Sequence, residues 1–282
     1  MLALEQYKDI IDLSCPPRHA EIIGEEEKSA ICDELLAFLL EERNRIAAFS
    51  YPYQTKRELI WGYLNERPPA PVSDRFLELQ DRLFLSESEE RGVVDADAFS
   101  YAEGLALWQG DITRLKIDAV VNAANSSLLG CFIPHHKCID NVIHSRAGVQ
   151  VRLDCSKIMG AQGEAEPPGC AKITRAYNLP SKYILHTVGP MVGLGVTEED
   201  GRVLRGCYLS CLNLAEQMGL KSVAFCCIST GVFGYPNDEA AAIAVGAVKN
   251  WLLEHREAGM RVVFDVYLDK DLAIYKDVLK NT

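Results

Sequence analysis

Apolar side chains along residues 25–49 recur at helical spacing: Ile31, Leu35 and Leu39 form one stripe, with Leu36 and Leu40 beside it. The spacing predicts two more helices over 55–66 and 73–90, the second with its stripe on Val72, Phe76, Leu79 and Leu83. The RPPAP run at 67–71 separates them as a breaker. Residues 1–95 therefore read as a helical N-terminal extension, a structural layer without evident chemistry. From Leu105 the rhythm changes, and short apolar runs alternate with helical ones. Strands are expected at Leu105–Gln109, Ala119–Asn122, Tyr183–Val188, Ser222–Ile228 and Val262–Tyr267, and helices at 139–147, 149–160, 202–218, 237–254 and 270–280. Such alternation predicts an α/β domain over 101–282, with a largely parallel sheet covered by helices on both faces. Ligands of such sheets sit beyond the carboxyl ends of the strands. Chemistry should therefore lie in the loops that follow them.

Composition narrows the function classes. With 48% hydrophobic and 24% charged residues the chain has an ordinary globular balance. Its net charge of −11 and the lack of any Lys/Arg block argue against a polynucleotide partner, and leave room for a local positive pocket and a nucleotide ligand. The longest apolar runs, such as Val223–Ile228, are strand-length and far short of a membrane span. The start, MLALEQYKDIIDLSC, lacks a basic segment followed by a long apolar one, so no secretory signal and a reducing, cytoplasmic setting are expected. There the ten cysteines are core residues or metal ligands, not disulfides. Cys226 and Cys227 lie in an apolar run, and Cys207 and Cys211 in a helical one, as packing residues.

Three loops after strands carry candidate binding chemistry. In Gly110-Asp111-Ile112-Thr113 the carboxylate can accept from an exocyclic amine; an Asp before Thr also serves as a turn or helix cap. Asn122-Ala123-Ala124-Asn125 offers two amides with small spacers, as a ligand site or as a turn. Ile228-Ser229-Thr230-Gly231-Val232-Phe233-Gly234-Tyr235-Pro236 precedes a helix, and its two glycines let backbone amides approach a diphosphate closely. It is neither a Walker A loop nor a GxGxxG fingerprint. A fourth segment, Gly130-Cys131-Phe132-Ile133-Pro134-His135-His136-Lys137-Cys138-Ile139-Asp140-Asn141, clusters thiols and imidazoles. Cys131, His136 and Cys138 can wrap one ion, the donor types favour zinc, and three protein ligands leave one position open. His135 is a rival ligand. Asp140 follows closely, either as a base or as a group orienting a ligand hydroxyl, or as the cap of helix 139–147.

The strings GDIT, VVNAAN, SLLG, DNVIHSRAG, GCAKITRAYNLPSKYILHTVGP and ISTGVFGYP, in this order over roughly residues 101–280, resemble a macrodomain. The resemblance implies a three-layer α/β/α sandwich that binds ADP-ribose. It implies Asp111 and Ile112 at the adenine, Tyr267 flanking it, Asn125 at the distal ribose, and Ser229, Thr230, Gly231, Val232 and Phe233 at the diphosphate. CFIPHHKC stands where most hydrolytic members carry a run of glycines. This resembles the zinc-dependent branch, microbial protein-ADP-ribose hydrolases with an N-terminal helical extension. The branch implies Cys131, His136 and Cys138 as ligands of Zn2+, with Asp140 and Asn125 as catalytic candidates. The expectation is thus a glycosidase that removes mono-ADP-ribose from a modified protein and releases ADP-ribose, with neither nucleic acid nor membrane as partner. Three alternatives remain: a non-catalytic ADP-ribose reader, an O-acetyl-ADP-ribose deacetylase, and a purely structural zinc completed by His135.

Overall fold

The computed structural model describes residues 1–16, 19–46 and 51–281. A short helix α1 (Leu4–Tyr7) precedes α2 (Glu25–Glu41), α3 (Tyr53–Glu66) and α4 (Asp74–Glu90). Helix α2 stops well before the expected 49, and residues 47–49 of that expectation lie outside the described residues. The remaining elements are β1 (Val94–Asp95), β2 (Leu105–Gln109), β3 (Leu115–Lys116), β4 (Ala119–Ala124), α5 (Ile139–Ala147), α6 (Val149–Gln162), β5 (Ala171–Arg175), β6 (Tyr183–Val188), α7 (Glu198–Gln217), β7 (Ser222–Phe225), α8 (Asn237–Glu254), β8 (Arg261–Val266) and α9 (Asp269–Asn281).

Six strands form one sheet in the order β2-β8-β7-β4-β6-β5, parallel throughout except for the antiparallel edge strand β5. Helices α7, α8 and α9 pack together on one face and α5 and α6 on the other, the three-layer α/β/α sandwich. The central strands are buried on both faces, which is why β4, β6 and β7 read as near-continuous apolar runs. Strand β7 ends at Phe225 instead of Ile228, because the chain turns there into the 228–236 loop. Strand β5 escapes the apolar pattern because Lys172 is buried in it, and its ammonium donates to both Glu166 oxygens at 2.7 Å.

Helices α2 to α4 enclose a second small core around Ile31, Leu35, Leu39, Leu79 and Leu83. The first residues do not join it: Leu4, Tyr7 and Ile11 belong to the main core. The Tyr7 hydroxyl accepts the Ile173 amide of β5 at 2.9 Å, the Tyr183 hydroxyl donates to Leu13 O, and Asp12 pairs with Arg175. The N-terminal arm thus covers an edge strand whose open amides would otherwise invite pairing. No helix among the described residues is long and apolar enough to cross a membrane, and all ten cysteines are free thiols.

Candidate active site

The carboxyl end of β4 and the start of α5 meet through one carboxylate. Asp140, in the first turn of α5, is buried, and Asn122 Nδ2 donates to its Oδ1 at 2.8 Å while Asn125 Nδ2 donates to its Oδ2 at 3.2 Å. Burial pushes this carboxyl up to about 6, with the Asn122 hydrogen bond and the Arg152 charge pulling the other way. Asn125 is itself fixed. Its Nδ2 also donates to Gly130 O, and its Oδ1 accepts from the Ser127 amide and hydroxyl.

Behind Asn122 the polar chain continues. His186, its neighbour in register on β6, lies with Nδ1 3.2 Å from Asn122 Nδ2 and Nε2 2.9 Å from Thr174 Oγ1. Acceptance from Asn122 at Nδ1 and donation to Thr174 at Nε2 require a neutral ring, and burial holds its pKa down to about 3. His144, one turn after Asp140, is buried with neither ring nitrogen hydrogen-bonded among the described residues; its Nε2 lies 3.5 Å from Asp140 Oδ1. Asn122 belongs to the two-amide segment that the sequence offered as a candidate, whereas His144 and His186 were not among the residues expected there. The signal for Asn122 and His186 was present: each is the one strongly polar residue in a strand otherwise buried and apolar.

The loop between β4 and α5 brings Cys131, His136 and Cys138 together, their ligand atoms all within 4.8 Å of one another and Cys131 Sγ 3.5 Å from His136 Nδ1. Burial, with the neighbouring Cys131, pushes the Cys138 thiol up to about 11 against the pull of the Asn141 amide. Cys138 also caps α5, accepting the Asn141 amide at 3.4 Å. Two thiols and an imidazole at this spacing fit the tetrahedral N/S chemistry of zinc. His135, the rival ligand, has a left-handed backbone (φ 57°), and its ring packs edge-on against Trp61 of α3, 5.3 Å between centroids. There it fills the space above Gly62, where a Cβ would come within 2.9 Å of its Nε2.

The extension, read as a structural layer, touches the site through α3. Trp61 Nε1 donates to Asn141 Oδ1 at 3.0 Å, and Asn141 Nδ2 donates to the loop carbonyls of Cys131 and Ile133. The His135 amide donates to Asn65 Oδ1 at 3.0 Å. Arg152 of α6 gathers the carbonyls of Leu64, Asn65 and Arg67 on one guanidinium nitrogen, and the same guanidinium lies 4.4 Å from the Phe132 ring centre.

The other expected binding residues line the same edge of the sheet. Asp111 follows β2 and caps a 3-10 turn, accepting from the Thr113 amide (3.1 Å) and hydroxyl (2.6 Å); it also pairs with Arg146 of α5. Burial alone would raise its pKa, but Arg146 and Thr113 outweigh burial and hold the carboxyl below its ordinary range. Ile112 is buried in the core, and its backbone amide donates to no protein acceptor among the described residues. Tyr267, just past β8, is 73% exposed, so its ring is free to cover a planar group. In the 228–236 loop Ser229 has φ 66° and a buried hydroxyl without a partner among the described residues. The amides of Thr230, Gly231, Val232 and Phe233 donate to no protein acceptor among the described residues, while Gly234 and Tyr235 close the turn onto Gly231 and Ser229. Four amides without protein acceptors ahead of a helix are donors of the kind that suit an anion. Gly189 leaves room for the Ser229 side chain, since a Cβ there would lie 2.0 Å from Ser229 Oγ.

Residues 121–244 match the family model described as the Macro domain. A protein-ADP-ribose hydrolase of Staphylococcus aureus strain MSSA476 is 52% identical over 237 residues, 83% of this chain and 88% of that protein. A protein-ADP-ribose hydrolase of Treponema medium is 44% identical over 252 residues, 87% of this chain and 96% of that one. Among solved structures, a Trypanosoma brucei macrodomain in complex with ADP-ribose superposes with a TM-score of 0.60 at 28% identity, covering 82% of this chain and 97% of that one.

Proposed function

The chain belongs to the Macro domain family, and from that premise we propose that it is a protein-ADP-ribose hydrolase whose distal-ribose site is built around a zinc-binding loop. The observation that carries the reading is the buried Asp140 carboxylate, pinned by Asn122 and Asn125 and directly following the Cys131–His136–Cys138 cluster. The free amides of Thr230–Phe233 would hold the diphosphate, Asp111 and the Ile112 amide the adenine edge, and the exposed Tyr267 ring its face. The distal ribose then falls towards Asn125 and Asp140. Asp140, with its pKa raised, would orient a ribose hydroxyl or take up a proton there, and Asn125 would hold its orientation.

Zinc held by Cys131, His136 and Cys138 would supply Lewis acidity to an oxygen ligand at its open position. The scissile bond would join ADP-ribose to a protein side chain, and the modified protein is the proposed substrate. The test is release of free ADP-ribose over time from a mono-ADP-ribosylated protein, compared with Asp140→Ala. Steady release by the wild type and its near-loss in the variant support hydrolysis. Tight ADP-ribose binding without release by the wild type would make the protein a reader.

A further inference from the structure

A cavity of about 200 Å³ lies at the seam between the extension and the α/β domain, walled by Arg57 and Trp61 of α3, Phe84 and Glu87 of α4, Arg91 at the end of α4, and Arg146 of α5. Three guanidinium groups in a chain of net charge −11 need a reason. Glu87 is already committed: its Oε2 accepts from Arg57 Nη2 at 2.9 Å and its Oε1 from the Tyr53 hydroxyl at 2.7 Å. Arg57 Nη1 and Arg91 Nε are buried with no hydrogen-bond partner among the described residues. A buried, unpaired donor on a charged group is costly unless something else occupies the space. Burial, and then the nearby Arg146 charge, bring Arg91 down to about 10, with Glu87 and Asp111 pulling the other way.

We propose that this seam cavity binds a phosphate-class oxyanion, held by Arg57, Arg91 and Arg146. Guanidinium groups match tetrahedral oxyanions, and donors left over on three side chains, among them Arg57 Nη1 and Arg91 Nε, suit an acceptor with several oxygens better than one monocarboxylate. The third arginine links the cavity to the nucleotide site, because Arg146 Nη1 also donates to Asp111 Oδ2 and Thr113 Oγ1. An anion that draws Arg146 into the cavity frees the Asp111 carboxylate for an adenine amino group. Anion and ADP-ribose then favour each other's binding, as linkage requires. This second step rests on the reading of Asp111 as an adenine contact; the anion site itself does not.

The experiment titrates inorganic phosphate, and separately acetate, into the full-length chain by calorimetry at constant ionic strength. Phosphate should saturate a site that Arg91→Ala weakens about tenfold or more, the loss expected from one charge-assisted contact, and acetate should bind at least about tenfold more weakly. Arg91→Lys, which keeps the charge without the fork, should recover part of the affinity at an unchanged melting temperature. Phosphate binding indifferent to Arg91→Ala, as for an ion held only by the 228–236 loop, overturns the site. ADP-ribose titrated with and without phosphate should then bind several-fold more tightly with it, and Asp111→Ala should abolish that gain without weakening phosphate binding. A seam site confirmed by Arg91 with no such gain overturns the coupling. Failure of ADP-ribose to bind in phosphate-free buffer counts against the nucleotide reading alone.

Discussion

Asp140→Ala removes the acceptor of two asparagine amides as well as the carboxylate. Turnover of ADP-ribosylated protein should fall on the order of 10²- to 10⁴-fold, with zinc content unchanged and ADP-ribose binding mostly retained. An equal fall in binding would make Asp140 a structural anchor of the β4–α5 junction. Asp111 caps a turn and, in the proposed site, also faces the nucleotide edge. Asp111→Ala should weaken ADP-ribose binding by about 1–3 kcal/mol and also lower the melting temperature through the lost cap. A lower melting temperature with unchanged affinity, read by calorimetry, would leave only the cap. His186 gives a pH signature. Its folded pKa is depressed to about 3, so its contribution is fully present above the unfolded value of about 6.5 and is lost as pH falls towards 3. The cost of His186→Gln in urea unfolding should therefore be largest near pH 7.5. It should shrink by up to about 1.4 kcal/mol per pH unit below about 6.5. A cost that grows at pH 5 would mean a protonated ring in the folded protein.

The elements differ in how plainly the sequence announces them. Helices 139–147 and 237–254 and strands 105–109 and 183–188 were legible to the residue, because caps, glycines and apolar period coincide there. Gly148, with φ 107°, ends α5 and admits α6 directly. Strand β5 was not legible, since its interior carries a lysine whose partner Glu166 lies outside the strand, and a buried ion pair has no period. The grouping of Cys131, His136 and Cys138 was legible as donor types in one loop with His136 preferred, whereas the reason that separates His136 from His135 was not. A left-handed backbone and contact with Trp61, 74 residues earlier in the chain, turn His135 away. The same contact makes α3 a support of the Cys131–Cys138 loop. Asn65→Ala deletes the acceptor of the His135 amide and should weaken zinc on the order of 10- to 100-fold, the usual effect of losing an outer-shell partner, read by competition with a chelating indicator. Unchanged zinc affinity at a lower melting temperature would confine α3 to stability.

At the scale of the whole molecule, the extension is two things. Helices α2 to α4 form a small core of their own against α5 and α6, while residues 1–13 seal the β5 edge of the sheet. Deleting residues 1–13 should leave the helical layer and the site intact, yet expose Leu4 and Ile11 contacts and an open strand edge, and so promote association. A truncated chain that stays monomeric by light scattering at high concentration would show the edge to be protected in another way. The zinc and Asp140 parts of the account meet in Cys138, which is a candidate ligand and the cap of α5 at once. Serine in its place keeps a capping oxygen and removes the thiolate. The most direct measurement is zinc content together with ADP-ribose release from a modified protein, for the wild type and Cys138→Ser. The account predicts about one zinc per wild-type chain, and loss of both zinc and release in the variant with ADP-ribose binding preserved. A zinc-free Cys138→Ser protein that releases ADP-ribose at the wild-type rate would contradict it.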